Sequence, residues 1–198
     1  MRRVLFLLIL LTGGLVMPAA ASAEFGLVVG VTPGIFLYSP DVDGHQLRDA
    51  WRTEEIDGYI SNLATINAGI AWEAERFFID LTGGIGYLYN DSFSGELYMG
   101  DLALRFKLPS EVLTVGPHVS VIDCRPDWDG GADVSLSGET GTVAGLAVTV
   151  GTKPFSFAAS IDYVDLAFQV TPGSPPPVAN EDLDISGLAL QMGALFRF

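Results

Sequence analysis

The chain has 198 residues, a formal net charge of −14 and a hydrophobic fraction of 49%. That length suits one domain, and the strong acidity excludes nucleic acid as a partner. It also excludes direct attraction to anionic lipid unless divalent cations bridge the two. The one cysteine, Cys124, rules out an intramolecular disulfide and is expected in a loop.

The N-terminus opens with Arg2 and Arg3, an unbroken apolar run over 4–11, and Pro18. Ala21, Ser22 and Ala23 then supply the small residues that a signal peptidase reads. This pattern predicts a secretory signal peptide over 1–23 and a mature chain from Glu24 with a net charge of −16. A transmembrane anchor is the competing reading, but the apolar run falls well short of the ~20 residues that span a bilayer. No cysteine follows the run, so lipoprotein processing is not expected.

The rest of the chain alternates with period two, the signature of strands. Eight segments are predicted: 25–37, 59–72, 77–89, 96–108, 112–122, 142–150, 155–169 and 185–198. In each, one face is apolar, as with Phe77, Ile79, Leu81, Ile85, Tyr87 and Tyr89 in the third. The other face is small or polar, as with Asp80, Thr82, Gly84 and Gly86. Tyr59 breaks parity with Trp72, which implies a bulge or a shorter second strand. Pro33 and Pro117 each remove a ladder donor and are expected at strand ends or bulges.

Three properties separate this pattern from a soluble sandwich. Most segments match the ~9–11 residues that cross a bilayer with tilt. The bulky apolar face has no large inward partner, so it must point to lipid while the small polar face lines a narrow interior. Connections alternate between tight ones (73–76, 109–111, 151–154) and longer ones (39–58, 90–95, 123–141, 171–184). Trp72, Phe77, Phe106, Phe155 and Phe198 gather at the tight-turn ends, and Tyr38, Tyr59, Tyr87, Tyr89, Tyr98 and Tyr163 at the long-loop ends. Two such bands mark two membrane interfaces. The fold class that follows is all-β: a closed, antiparallel, up-and-down transmembrane barrel of eight strands, which leaves no edge unpaired in hydrocarbon.

The run from Leu188 to Phe198 (LALQMGALFRF) resembles the C-terminal signature of outer-membrane barrels. The chain as a whole is similar to small eight-stranded barrels of the OmpA-transmembrane, OmpX and OmpW kind. The resemblance implies an outer-membrane location, with the termini in the periplasm and the long loops at the cell surface. It also implies recognition of Phe196 and Phe198 by the barrel-assembly machinery, and contact with outer-membrane lipid and lipopolysaccharide. A monomer is expected.

Candidate chemistry lies in two places. Asp80, Asp101, Arg105, His118, Asp162, Gln191 and Arg197 share the predicted lumen, with Lys107 near its end. Charges enclosed there must be paired. They form either an ion-paired plug or a narrow polar path for small solutes. The long loops are acidic, which suits a solvated surface or divalent-cation binding. The run from Asp127 to Asp133 (DWDGGAD) sets Asp127, Asp129 and Asp133 around a glycine turn, a weak calcium pattern that lacks the terminal bidentate Glu.

His118-Val119-Ser120 resembles the His-x-Ser pair of outer-membrane lipid A deacylases, but Glu139 falls in a loop rather than on the next strand. The stretch over 172–177 is proline-rich and predicts a stiff loop apex. Three function classes follow: a structural or surface-interaction barrel, a narrow porin-like or OmpW-like transporter, and a lipid-modifying enzyme. The first leads, through envelope integrity, adhesion or recognition by the acidic loops. No catalytic residue and no cofactor is expected.

Overall fold

The computed structural model describes residues 24–110, 112–138, 140–173 and 180–198. The segment 1–23, Glu139 and most of the proline-rich stretch lie outside them. Eight strands form a closed barrel: β1 (Glu24–Tyr38), β2 (Ile60–Glu73), β3 (Phe77–Tyr89), β4 (Phe93–Lys107), β5 (Leu113–Trp128), β6 (Thr140–Thr152), β7 (Phe155–Asp165) and β8 (Gly187–Arg197). Each strand pairs antiparallel with its sequence neighbour. β8 closes on β1 in a register that sets Val29 opposite Phe196 and Leu37 opposite Leu188.

Alternation decides what each side chain meets. Leu27, Ile66, Leu81, Ile85, Leu146, Phe157 and Met192 all point outward and stay exposed. Water would not tolerate so continuous an apolar exterior, and hydrocarbon is the medium that covers it. Phe25 stacks on Trp72, and Trp72 meets Phe77 edge-on, at the tight-turn end. Phe155 packs against Phe196 at the same end, with ring centroids 5.2 Å apart. Among the described residues no helix is long and apolar enough to cross a membrane.

Several predicted boundaries move. β2 begins at Ile60, so Tyr59 precedes the strand and its parity break needs no bulge. β5 runs on to Trp128, past the predicted end at 122. Asp123, Arg125 and Asp127 made this stretch look like a loop, yet they form only its outward face. Ile122 and Cys124 point inward and are buried, so Cys124 belongs to a strand rather than a loop. The predicted segment 155–169 divides at the buried Leu166. Its first part ends at Asp165, and Ala167–Pro172 leaves the barrel to pair with Val134–Gly138.

Pro33 and Pro117 stand in mid-strand, not at ends or bulges. Pro33 pairs normally with Ala64 on β2. On its other side, pairing with β8 lapses between Val31–Ala194 and Gly34–Gln191, and the register is kept. Pro117 pairs with Leu146 on β6, and the ladder to β4 lapses between Ala103–His118 and Phe106–Val115. Each ring costs one seam its local ladder and leaves the other intact.

Beyond the long-loop rim the chain builds a small head. A hairpin pairs Gln46–Arg48 with Thr53–Glu55, and Leu183–Asp184 adds to the sheet of 167–172 and 134–138. Phe36, Tyr38, Leu88, Phe93 and Leu97 fill the loop-end half of the lumen, joined by Val42, Ile56, Phe168, Leu183 and Ile185 from the segments beyond the barrel strands. This half is apolar, unlike the small and polar lining predicted for the whole interior.

The lipid-facing exterior makes a direct prediction. Leu81→Arg, near the middle of β3 and 55% exposed, should destabilise the barrel in bilayers by about 2–4 kcal/mol. Trp51→Arg in the head should cost close to nothing. Urea titration of both variants in lipid vesicles measures the difference.

Candidate functional site

The polar half of the lumen holds two charge clusters around a cavity of about 120 Å³. Eight strands leave an interior that side chains nearly fill, so inward charges must find each other. The first cluster centres on Asp80 of β3. Arg105 of β4 contacts its carboxylate, and Arg197 of β8 reaches the same oxygen at 3.3 Å. The Arg197 guanidinium also lies over the Phe78 ring, 4.6 Å from its centroid. Asp80 is 1% exposed, so this pairing sits in a low-dielectric setting.

The second cluster centres on His118 of β5. Its Nδ1 lies 2.9 Å from Asp101 of β4 and its Nε2 lies 2.6 Å from Asp162 of β7. The Ser120 hydroxyl donates to Asp101 at 2.6 Å, and that of Ser160 donates to Asp162 at 2.7 Å. Gln191 lines the same cavity.

Lys107 stands apart from both clusters, at the tight-turn mouth. It donates to Glu73 at 2.6 Å, and Lys153 meets the same carboxylate at 2.5 Å. Glu73, Lys153 and Ser160 were not picked out from the sequence, and Ser120 was singled out there only for its His-x-Ser spacing. Glu73 and Lys153 read there as turn residues. The inward parity of Asn67, Gly69 and Ala71, continued one step, does place Glu73 inside.

The His-x-Ser pair is not arranged for nucleophilic chemistry. Both ring nitrogens of His118 face carboxylates, and the Ser120 hydroxyl is directed to Asp101 rather than to the ring. The hydroxyl is thus held by a carboxylate, and His118 is not its acceptor as the base of a His–Ser pair would be.

The head is acidic and cross-braced. Asp49 Oδ1 accepts the backbone N–H groups of Trp51 and Arg52 at 2.5 and 2.6 Å, and its Oδ2 accepts that of Asp133 at 2.8 Å. These N–H groups, that of Asp133 foremost, hold the Asp49 carboxyl below the usual carboxylate range. Glu54 accepts from Gly131 N–H at 2.6 Å, while Arg52 donates to the Gly131 carbonyl at 3.1 Å. Arg48 and Asn180 exchange a further pair of bonds. Trp51, at the hairpin tip, is 86% exposed.

Among the described residues, no three or more His, Cys, Asp or Glu side chains gather as a metal ligand set. Asp127, Asp129 and Asp133, the residues of the calcium expectation, are not gathered into such a group. Asp127 lies within the extended β5, and the Asp133 backbone is tied to Asp49 and Gly173. Phe196 and Phe198 face outward, and the Phe198 backbone pairs with Leu27 at 2.9 and 3.0 Å.

No protein-family model and no curated protein matches the sequence. Among solved structures, the outer membrane protein OprG from Pseudomonas aeruginosa is similar, with a TM-score of 0.53 at 10% identity, over 90% of this chain and 96% of that one. An outer membrane channel from Pseudomonas putida F1 aligns over 92% of this chain and 98% of that one at 10% identity, with a TM-score of 0.28 that carries no argument. At 10% identity the likeness to OprG is one of fold.

The Asp80 cluster yields a prediction. Asp80→Ala leaves two buried guanidinium groups without their shared partner and should cost about 3–5 kcal/mol. Arg197→Met keeps the Asp80–Arg105 pair and should cost clearly less. Urea unfolding in bilayers ranks the two.

Proposed function

We propose that this chain is an outer-membrane barrel with a structural or surface-interaction role, carried by its braced acidic head. The observation behind this reading is that the lumen is filled at both ends. The apolar cap fills the loop end, and the Asp80–Arg105–Arg197 cluster with Lys107 and Phe78 crosses the tight-turn end. Between them, among the described residues, lies a cavity of about 120 Å³. A plugged barrel presents its loops and conducts nothing. The head suits presentation because hydrogen bonds between loops hold its surface in one shape before any partner arrives.

On this reading the short turns lie in the periplasm and the head lies outside the cell. Outer-membrane lipid and lipopolysaccharide surround the wall. The C-terminal strand with Phe196 and Phe198 would guide assembly.

One observation favours a second reading, a transporter of small hydrophobic solutes. The lapse in the β1–β8 ladder beside Pro33 coincides with an apolar groove on the outer wall, lined by Val31, Pro33, Phe157, Met192 and Ala194. Thr32 and Gln191 line the inner cavity along the same seam. A wall opening there would join the two.

Two measurements test these readings. Planar bilayers holding the refolded protein should show no conductance steps, and sustained single-channel steps would replace the plug with a pore. On intact cells, a membrane-impermeant maleimide should label Trp51→Cys but not Lys153→Cys. Labelling of the second alone would invert the orientation. If the seam opens, a disulfide between Val31→Cys and Ala194→Cys should abolish uptake of a hydrophobic dye into liposomes, and reduction should restore it.

A further inference from the structure

We propose that His118 stands in the barrel as an imidazolium clasp, its second proton held between Asp101 and Asp162, tying β4, β5 and β7 together across β6. Three observations carry this.

The first is hydrogen-bond bookkeeping. Both ring nitrogens lie within bonding distance of a carboxylate oxygen, at 2.9 and 2.6 Å. A neutral imidazole has one N–H, so its other nitrogen would point a lone pair at a carboxylate lone pair. Only the doubly protonated ring donates to both sides.

The second is charge balance. Asp101 and Asp162 face the same enclosed space, where an ionised carboxylate without a cation is costly. Among the described residues β1, β2 and β8 bring no charged group to that space, offering Val28, Thr32, Thr65, Asn67, Gln191 and Leu195, and β6 offers Val143 and Ala147. The other charged groups lining it are Asp80 of β3 and Arg105 of β4, which are committed to each other and to Arg197. Among the described residues, His118 is the group placed to supply the missing positive charge.

The third is the gap in the wall lining. His118 pairs in register with Gly145 of β6, and Gly145 pairs with Asp162 of β7. A Cβ on residue 145 would overlap Asp162 Oδ1. Glycine clears the space through which the His118–Asp162 bond passes, so one contact links strands that are not neighbours.

The clasp makes the middle of the barrel sensitive to alkali. Its stabilisation is present in full while the ring keeps both protons. It is lost as rising pH strips the second proton and leaves two carboxylates facing each other.

The test uses the chain from Glu24 onward, refolded into lipid bilayers and labelled with 15N-histidine. His45→Gln, in the head and outside the clasp, leaves His118 as the one ring observed. At pH 7 both nitrogens should carry protons. Asp162→Asn and Gly145→Val should each give a neutral ring with one bare nitrogen, while gel mobility checks that the barrel is folded. A bare nitrogen on His118 in the otherwise native chain at pH 7 overturns the proposal. As a second readout, the urea midpoint should fall between pH 7 and pH 10 in the native chain and fall clearly less in His118→Gln. Equal falls would also overturn it.

Discussion

Hydrocarbon offers no water to a peptide group, and the rest of this structure follows from that constraint. Every N–H and C=O that crosses the membrane must be paired within the protein. A sheet can meet the demand only by closing, and β8 pairing with β1 is the closure. Closure fixes the parity of all eight strands. The bulky residues then have lipid to face, and the small ones have an interior too narrow for anything larger.

That narrow interior governs the chemistry. A charge placed inward cannot reach bulk water, so it survives only beside an opposite charge. Asp80 therefore comes with Arg105 and Arg197, and Asp101 and Asp162 come with His118. The loop end solves the same problem without charge. Phe36, Phe93 and Phe168 pack there as an ordinary apolar core, roofed by Val42, Ile56 and Ile185 from the loops. Rigidity in the head extends this arrangement outward, because the strands and loops that seal the barrel also anchor the hairpin carrying Trp51.

Alternation made the eight strands and the outward faces legible in the sequence, since period two depends only on local side-chain order. Inward charges could be named for the same reason. Their partners could not, because pairing needs the register between strands. Asp80 and Arg197 are 117 positions apart and meet only through closure. Gly145 carried no signal of its own until His118 and Asp162 were seen to flank it. The charged outward face of 123–127 hid a strand, because polarity on one face outweighed the buried Ile122 and Cys124 on the other. The mid-strand prolines escaped prediction because one seam can lose its ladder locally while the other keeps the register. The apolar cap escaped because its members are scattered along the chain.

Everything above rests on a barrel closed between β1 and β8 with its apolar face in lipid. Nuclear Overhauser contacts recorded in lipid nanodiscs test it most directly. Cross-strand contacts are expected at all eight seams, including Val29 with Phe196, with contacts from Leu81 and Ile85 to acyl-chain methylenes. Seven intact seams with none between β1 and β8, or Leu81 and Ile85 meeting only protein, would contradict it.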